Sequence, residues 1–439
     1  MGVLVAKFGG SSVADGIQIR KIRSIVESSA DRRFVVVSAP GKRFDEDSKI
    51  TDLLYLLYSH AEHKVPYEQL LQVIKERFLG MESDLGVDIG LVNEFSEIEE
   101  QIKTGTTADY LASRGEHLSA KLIAAFIGYD FIDTKGLVQF DKKGRLLYAE
   151  TDEALGAELA KHKNAVLPGF YGTLPDGSVK TFTRGGSDIT GALVARAAKA
   201  STYENWTDVS GFLMADPRIV KSPKAIKTIS YKELRELSYM GASVLHENAI
   251  YPARLAGIPI NIRNTNKPED EGTIISGDDL NTSGDTITGI AGNKDYTVIG
   301  IYKNMMSSEV GFFKRLLAVL EEHNIPVEHL PSGIDTISLV ISSKYLEDNL
   351  AEVIEDIERK VGSDDIEVSE NISLIATVGA HMADRRGTAA ELFTALYEAG
   401  VNVRMIDQGS SEMNIIVGVE TKDFETAIRA IYDKFVGKV

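Results

Sequence analysis

Two glycine pairs, each followed by a serine and each beside a cation, are where this sequence could handle a polyanion. The first is Lys7-Phe8-Gly9-Gly10-Ser11-Ser12, placed where a buried strand ends and a helix begins. Glycines let a backbone approach a ligand closely, and their N–H groups can face phosphate oxygens. Lys7 would sit at the carboxyl end of a strand, where open α/β sheets place ligands. The second is Thr183-Arg184-Gly185-Gly186-Ser187-Asp188, directly before a helix. A helix N-terminus offers free donors and partial positive charge. Capping alone would explain Ser187 or Asp188 but not Arg184 beside two glycines. Neither G-x-x-x-x-G-K-[ST] nor G-x-G-x-x-G occurs, so a P-loop and a Rossmann dinucleotide site both lack support.

Two weaker clusters accompany them. Trp206-Thr207-Asp208-Val209-Ser210-Gly211, then Asp216-Pro217-Arg218, offers a hydroxyl and a carboxylate for a nucleotide base or sugar; taken alone, a turn with an Asx bond explains it better. Ser113-Arg114-Gly115-Glu116 falls inside a long helix, where an exposed glutamate is the ordinary expectation. His60 and His63 share a helix face without a third ligand nearby, which fits a solvated face better than a metal site. No metal-binding protein ligands are expected.

The elements that must position these residues are legible from hydrophobic pattern. Val3–Phe8, 34–37, Ala165–Leu167 and Ile258–Ile262 read as buried strands; Ile17–Ser28, Thr51–His60, Tyr67–Phe78, Thr107–Phe126 and Ile189–Lys199 read as helices. Strands interleaved with helices imply a mostly parallel sheet covered by helices. The polar segment 276–285 has linker composition and marks a boundary, giving a first domain over 1–285. Beyond it, residues 301–341 repeat as 377–417 at a fixed offset. Met306 matches Met382, Gly311 matches Gly387, Asn324 matches Gly400 and Gly333 matches Gly409. Each copy reads strand, Gly-headed helix, strand, strand, helix, giving two small α+β units over 296–370 and 371–439 that pair with each other or across a dimer.

Bulk properties narrow the function classes. With 439 residues, two or three domains are expected. A net charge of −17 repels nucleic-acid phosphates and anionic membranes, so neither is expected as a partner. The absence of cysteine removes thiolate chemistry and suits a reducing compartment. The N-terminus lacks a signal-peptide layout and no apolar run is long enough to span a bilayer; a cytoplasmic protein is expected.

Taken in order, Lys7–Val13, 37–41 (Val-Ser-Ala-Pro-Gly), 49–54 (Lys-Ile-Thr-Asp-Leu-Leu), 113–116, 182–188, 206–209, 216–218 and Gly241-Ala242-Ser243-Val244-Leu245-His246 resemble the aspartate kinases of the amino-acid kinase family. The tail resembles that family's tandem ACT domains. Ser243 and Glu247 stand where relatives often carry Lys and Pro, so Ser243 receives no phosphate role. The resemblance implies an amino-acid-kinase-like α/β sandwich with a mostly parallel central sheet, plus two ferredoxin-like ACT domains. It implies a monofunctional enzyme that transfers the ATP γ-phosphoryl group, with Mg²⁺ bound alongside the nucleotide, to the side chain of L-aspartate, opening lysine, threonine and methionine biosynthesis. It also implies roles. Lys7 stabilises charge on the transferring group and Asp188 organises that lysine. Arg184 grips the substrate α-carboxylate and Glu116 its α-ammonium, with Ser38 and Thr51 helping to seat it. Gly9, Gly10 and Ser11 line the phosphates, while Thr207, Asp208, Leu213 and Arg218 contact the nucleotide. An effector, lysine first and threonine second, would bind among Met306, Ser308, Phe312, Phe313, Glu328, Ser332, Gly333 and Asp335, with the ACT domains joining a homodimer or homotetramer.

The chemistry is self-consistent. A side-chain carboxylate with a pKa near ~3.9 is already ionised at neutral pH and needs no general base. Positioning and charge stabilisation are then the whole task. Two other readings compete: a kinase for a different carboxylate such as glutamate, acetylglutamate or carbamate, and a non-catalytic amino-acid sensor that keeps the kinase shell.

Overall fold

Valine and isoleucine runs bounded by glycine turns form the strands of this computed structural model, which describes residues 2–242, 247–277 and 285–437. The stretch Ser243–His246 and most of the linker-like segment lie outside the described residues. In chain order the first elements are β1 (Leu4–Phe8), α1 (Gly16–Glu27), β2 (Arg32–Val37), α2 (Ile50–Glu62), α3 (Glu68–Leu85), α4 (Leu91–Thr104) and α5 (Ala108–Ile127). Then come β3 (Asp130–Phe131), α6 (Tyr148–Leu159), β4 (Ala165–Pro168), β5 (Tyr171–Thr173), β6 (Val179–Thr181), α7 (Gly186–Ala197) and β7 (Thr202–Thr207). β8 (Thr228–Ser230), α8 (Tyr231–Tyr239), α9 (Glu247–Leu255), β9 (Ile260–Asn264) and β10 (Thr273–Ser276) follow.

The chain divides into two compact units. The first comprises Met1–Phe212, Lys227–Tyr231 and Val244–Leu280. Its eight-stranded sheet has the order β3-β4-β2-β1-β7-β9-β10-β8, parallel throughout except where β10 meets β9. Side chains alternate across β1. Ala6 and Phe8 enter a core built with α1 to α5, where Ile19, Ile22, Leu54, Phe78, Phe95 and Leu118 are buried. α7 packs against β1, β2 and β7. The helix α4 was not among the sequence expectations, although Leu91, Phe95, Ile98 and Ile102 recur at helical spacing and are all buried.

The second unit comprises Leu213–Ile226, Lys232–Ser243 and Asn281–Val439. Residues that the sequence reading assigns to the first domain thus contribute here. Ile290 N–H bonds Met214 O at 2.7 Å, and the Glu233 carboxylate accepts from Ala380 N–H at 2.8 Å. Its elements are β11 (Gly289–Tyr302), α10 (Phe312–Glu322), β12 (Thr336–Ser342), α11 (Leu350–Val361), β13 (Asp365–Val378), α12 (Thr388–Glu398), β14 (Val403–Asp407), β15 (Asn414–Glu420) and α13 (Phe424–Phe435). They form one antiparallel sheet in the order β12-β11-β13-β15-β14. β11 and β13 run through both halves, and their register breaks near Asp295 and Asn371, which have φ of 69° and 58°.

The internal repeat appears at the helices, but the strand expected ahead of β12 in the first copy is not formed among the described residues: His329 and Ser332 make only isolated bridges where the second copy has β14. Gly311 and Gly387 head α10 and α12 with φ of 85° and 88°. The buried positions Phe312, Leu316, Val319 and Leu320 of α10 are matched by Thr388, Leu392, Ala395 and Leu396 of α12. Asn324 and Gly400, just beyond each helix, are both left-handed at φ 54° and 71°. Asparagine and glycine are the residues that tolerate this conformation after a helix.

Candidate functional site

Strand alternation sends Lys7 to the face opposite Ala6 and Phe8. There the buried Lys7 Nζ lies 2.5 Å from Asp188 Oδ1. Asp188 belongs to the first turn of α7, whose N-cap Gly185 takes φ 58°. A carboxylate in that turn is favoured by the helix dipole. The same oxygen accepts from Asn205 Nδ2 at 2.8 Å. Asn205 is register partner to Lys7 on the neighbouring strand β7. The two Gly-Gly-Ser turns, remote in sequence, are therefore joined through Lys7 and Asp188.

The first turn closes tightly. Gly9 N–H bonds Trp206 O at 3.0 Å, and residues Gly10–Val13 form a short 3₁₀ helix. Gly41 N–H bonds Gly10 O at 2.8 Å. A Cβ on Gly41 would stand 2.7 Å from Gly10 C, so no larger residue fits there without displacing the turn. Ser38, three residues earlier, donates its N–H to Phe8 O at 3.1 Å. Thr51 lies half-buried in the first turn of α2.

Glu116 is the main correction to the ordinary expectation for a mid-helix glutamate: it is only 4% exposed. α5 can approach the loop after β2 because residue 115 is glycine, where a Cβ would come within 2.7 Å of Ala39 Cβ. Burial pushes the Glu116 carboxyl up to about 8, against the opposing pull of the Ala39 and Glu116 N–H groups and the Arg114 charge. Its Oε2 is buried without a hydrogen-bond partner among the described residues. Arg114 does not pair with it closely; its guanidinium lies over Tyr110 and Tyr171, 4.7 and 5.7 Å from the ring centres. Arg184 is exposed and has no ion pair among the described residues.

The nucleotide candidates divide. Thr207 Oγ1 donates to the exposed Asp208 at 3.1 Å, at the end of β7 beside Trp206. Leu213 and Arg218 belong to the second unit, where Leu213 is exposed and Arg218 folds onto Asp216 at 2.6 Å. Among the effector candidates, Met306 and Phe312 are buried in the apolar core of the first repeat, a packing role. Ser308, Phe313, Ser332, Gly333 and Asp335 are exposed. The 3₁₀ turn bearing Met306 and Ser308 is held beside the 332–335 turn by a bond from Ser307 N–H to Ile334 O of 3.1 Å. Glu328 accepts a hydrogen bond from Tyr239.

His60 and His63 bond the carbonyls of Pro66 and Ser59 at 2.9 Å each. Among the described residues no three His, Asp or Glu side chains stand together as metal ligands, and no helix is long and apolar enough to cross a membrane. The sequence reading missed Asn205, whose signal was its place two residues after the buried Tyr203 on the strand beside β1. It also missed Phe170, held at φ 78° by a bond from its N–H to Thr190 Oγ1 of 3.1 Å.

Comparison with known proteins adds the family. Residues 2–264 match the model of the amino acid kinase family, and residues 375–435 match an ACT domain model. Aspartokinase 3 of Bacillus subtilis is 37% identical over 450 residues, covering 99% of each chain. The crystal structure of an aspartate kinase from Clostridium acetobutylicum, described as an allosteric enzyme, superposes with a TM-score of 0.94 at 48% identity, covering 99% of this chain and 100% of that one. Aspartokinase III of E. coli in complex with aspartate and ADP superposes at 0.73 with 26% identity, covering 99% of this chain and 100% of that one. Its complex with lysine and aspartate superposes at 0.74 with 26% identity, covering 99% of each.

Proposed function

The chain belongs to the aspartokinases of the amino acid kinase family and is an ATP-dependent aspartate kinase, and from that premise we propose how its residues divide the work. The first compact unit, Met1–Phe212 with Lys227–Tyr231 and Val244–Leu280, is the catalytic domain, and the two ACT domains, 296–370 and 371–439, fall in the second unit with Leu213–Ile226 and Lys232–Ser243. The observation that carries the reading is the Lys7–Asp188 pair joining two glycine turns, with the orphaned carboxylate oxygen of Glu116 on α5.

Lys7 stabilises charge on the γ-phosphoryl group as it passes to the aspartate β-carboxylate, giving 4-phospho-L-aspartate. Asp188, fixed by Asn205, holds the lysine Nζ in place. Gly10 and Ser11 present backbone donors to the phosphates, and Gly9, whose N–H is taken by Trp206 O, lines the turn beside them. Arg184 receives the substrate α-carboxylate and Glu116 the α-ammonium, with Ser38 and Thr51 bounding the pocket. Thr207 and Asp208 meet the nucleotide; Leu213 and Arg218 are assigned to it by resemblance only. Mg²⁺ is proposed to arrive on the nucleotide, where it would offset phosphate charge. No protein base is needed, because the attacking carboxylate is already ionised.

Lysine, bound by the exposed face of Ser308, Phe313, Ser332, Gly333 and Asp335 with Glu328, is the proposed feedback effector, acting in a homodimer or homotetramer formed through the ACT domains. Met306 and Phe312 support that face from the core. The reading is supported by the lysine-bound E. coli relative. Inhibition requires lysine to prefer a less active conformation. The test is aspartate-dependent ADP release, repeated with lysine and with threonine. Release with aspartate but not glutamate is expected, and its suppression by lysine; ADP release that ignores aspartate refutes the reading.

A further inference from the structure

A buried arginine far from the glycine turns in sequence ties together the loops on which the proposed site rests. Arg77 lies on α3 between Ile74 and Phe78, on the face whose other members are apolar. Its side chain is 5% exposed. A guanidinium in such a place is costly unless its donors are used. Here they are. Nη1 donates to Ser48 O at 2.8 Å and lies 3.3 Å from Asp47 Oδ2. Nη2 donates to Ala14 O at 3.3 Å and also to Gly41 O.

The partners share one property: each lies in irregular backbone beside a proposed ligand. Ala14 ends the 3₁₀ turn that begins at Gly10. Gly41 is the residue whose N–H holds Gly10 O, three positions after Ser38. Ser48 comes three positions before Thr51, at the entrance to α2. One planar fork thus fixes the spacing between the phosphate turn and both segments that seat the substrate. Leucine or methionine would pack the same apolar face but would leave the carbonyls of Ala14 and Gly41, whose bonds to Arg77 are buried, and that of Ser48, whose bond is half-buried, without this donor. Lysine carries its donors on one atom and cannot span carbonyls set on different sides of a guanidinium.

We infer that Arg77 is a positioning residue of this kinase, which holds the Gly9–Ala14 turn and the 38–51 segment in the register that places aspartate against the phosphates. The inference rests on the proposed substrate site. Its signature is a change in catalysis within a folded protein, with aspartate affected more than ATP.

The experiment compares the full-length parent, R77K and R77M by circular dichroism, thermal unfolding and steady-state ADP release with aspartate and ATP each varied. R77K is expected to keep the parent's circular dichroism, to raise KM for aspartate and lower kcat each on the order of tenfold, and to shift KM for ATP by less than about threefold. R77M is expected to be worse in the same direction where it folds; where it does not, R77K decides alone. Parent-like constants in R77K overturn the inference. So does activity lost at unchanged KM in proportion to lost folded protein, or an R77K that does not fold, since each makes Arg77 structural only. A parent that lacks aspartate-dependent release refutes the kinase assignment instead, so the two failures are distinguishable.

Discussion

Replacing Glu116 by glutamine tests the substrate site through its pH dependence. The carboxyl is buried, its Oε2 has no partner among the described residues, and its pKa is pushed from 4.5 to about 8. If the ionised form receives the substrate ammonium, only about a tenth of the free enzyme is competent at pH 7. The apparent KM for aspartate should then fall roughly tenfold from pH 6 to pH 7, and about fivefold more to pH 8. Binding at pH 7 should release close to one proton, measurable by calorimetry in buffers of different ionisation enthalpy. E116Q should lose this pH dependence and show a KM for aspartate raised on the order of 10²-fold at pH 8.5. The stability sign is opposite to that of a paired carboxylate. The folded state holds the extra proton, so stability is lost as pH rises from 4.5 to about 8. The loss is up to about 5 kcal/mol at about 1.4 kcal/mol per pH unit. Ligand-free E116Q should therefore outlast the parent against heat at pH 8.5, and the advantage should vanish near pH 4.5. A KM for aspartate that stays flat between pH 6 and 8, without proton release, refutes the assignment of Glu116 to the ammonium.

Three further outcomes are expected. K7M should lower kcat on the order of 10²-fold while keeping the parent's circular dichroism, as expected for removing one preorganised donor to the transition state; near-normal kcat removes Lys7 from the mechanism. R184A, which breaks no ion pair among the described residues, should raise KM for aspartate about tenfold or more and KM for ATP far less; the reverse split means that the two subsites are exchanged. G400A should destabilise the second ACT unit by about 1 kcal/mol, because its φ is 71° and the space around it is open, so only backbone strain acts; a thermal midpoint equal to the parent's contradicts that account.

What was legible in the sequence followed from local pattern. The buried runs of β1 and β2 predicted their strands, and Thr107 caps α5 where the helix was expected to begin. The fixed offset between the repeats aligned Asn324 with Gly400, and the structure makes both left-handed. The pairing of Lys7 with Asp188 came from the resemblance to the aspartate kinases, whereas the two Gly-Gly-Ser turns by themselves pointed only to a shared polyanion site. The missed features depend on distance in sequence. Asn205 matters only because β7 pairs with β1 in one register. Arg77 matters only because α3 passes under two loops. Glu116 looked like a solvated residue until Gly115 let α5 press against Ala39. Met306 and Phe312 were assigned to a ligand because they flank a glycine turn, but the strand-to-helix crossing directs both into the core. Residues 213–226 and 232–243 were assigned by chain order, whereas their hydrogen bonds run to the second unit.

Charge explains why these arrangements belong together. A chain with net charge −17 must still hold a nucleotide and an acidic amino acid. In the proposed site Lys7 is aimed by Asp188, so that its field would meet developing phosphoryl charge without reorganisation. Arg184 is left without a partner among the described residues, so a substrate carboxylate need not displace one. Glu116 is the reverse case, a buried acid whose missing partner is a cation. Aspartate supplies both at once, a carboxylate for the arginine and an ammonium for the glutamate. A dicarboxylate that lacks the ammonium leaves the buried oxygen unpaired, and a site built around a polar group rejects an analogue missing its partner far more strongly than an apolar pocket rejects a missing methylene. On the proposed roles, selection for an amino acid over its deaminated analogue would reside in the orphaned carboxylate of α5, and phosphoryl transfer would depend on the lysine of β1.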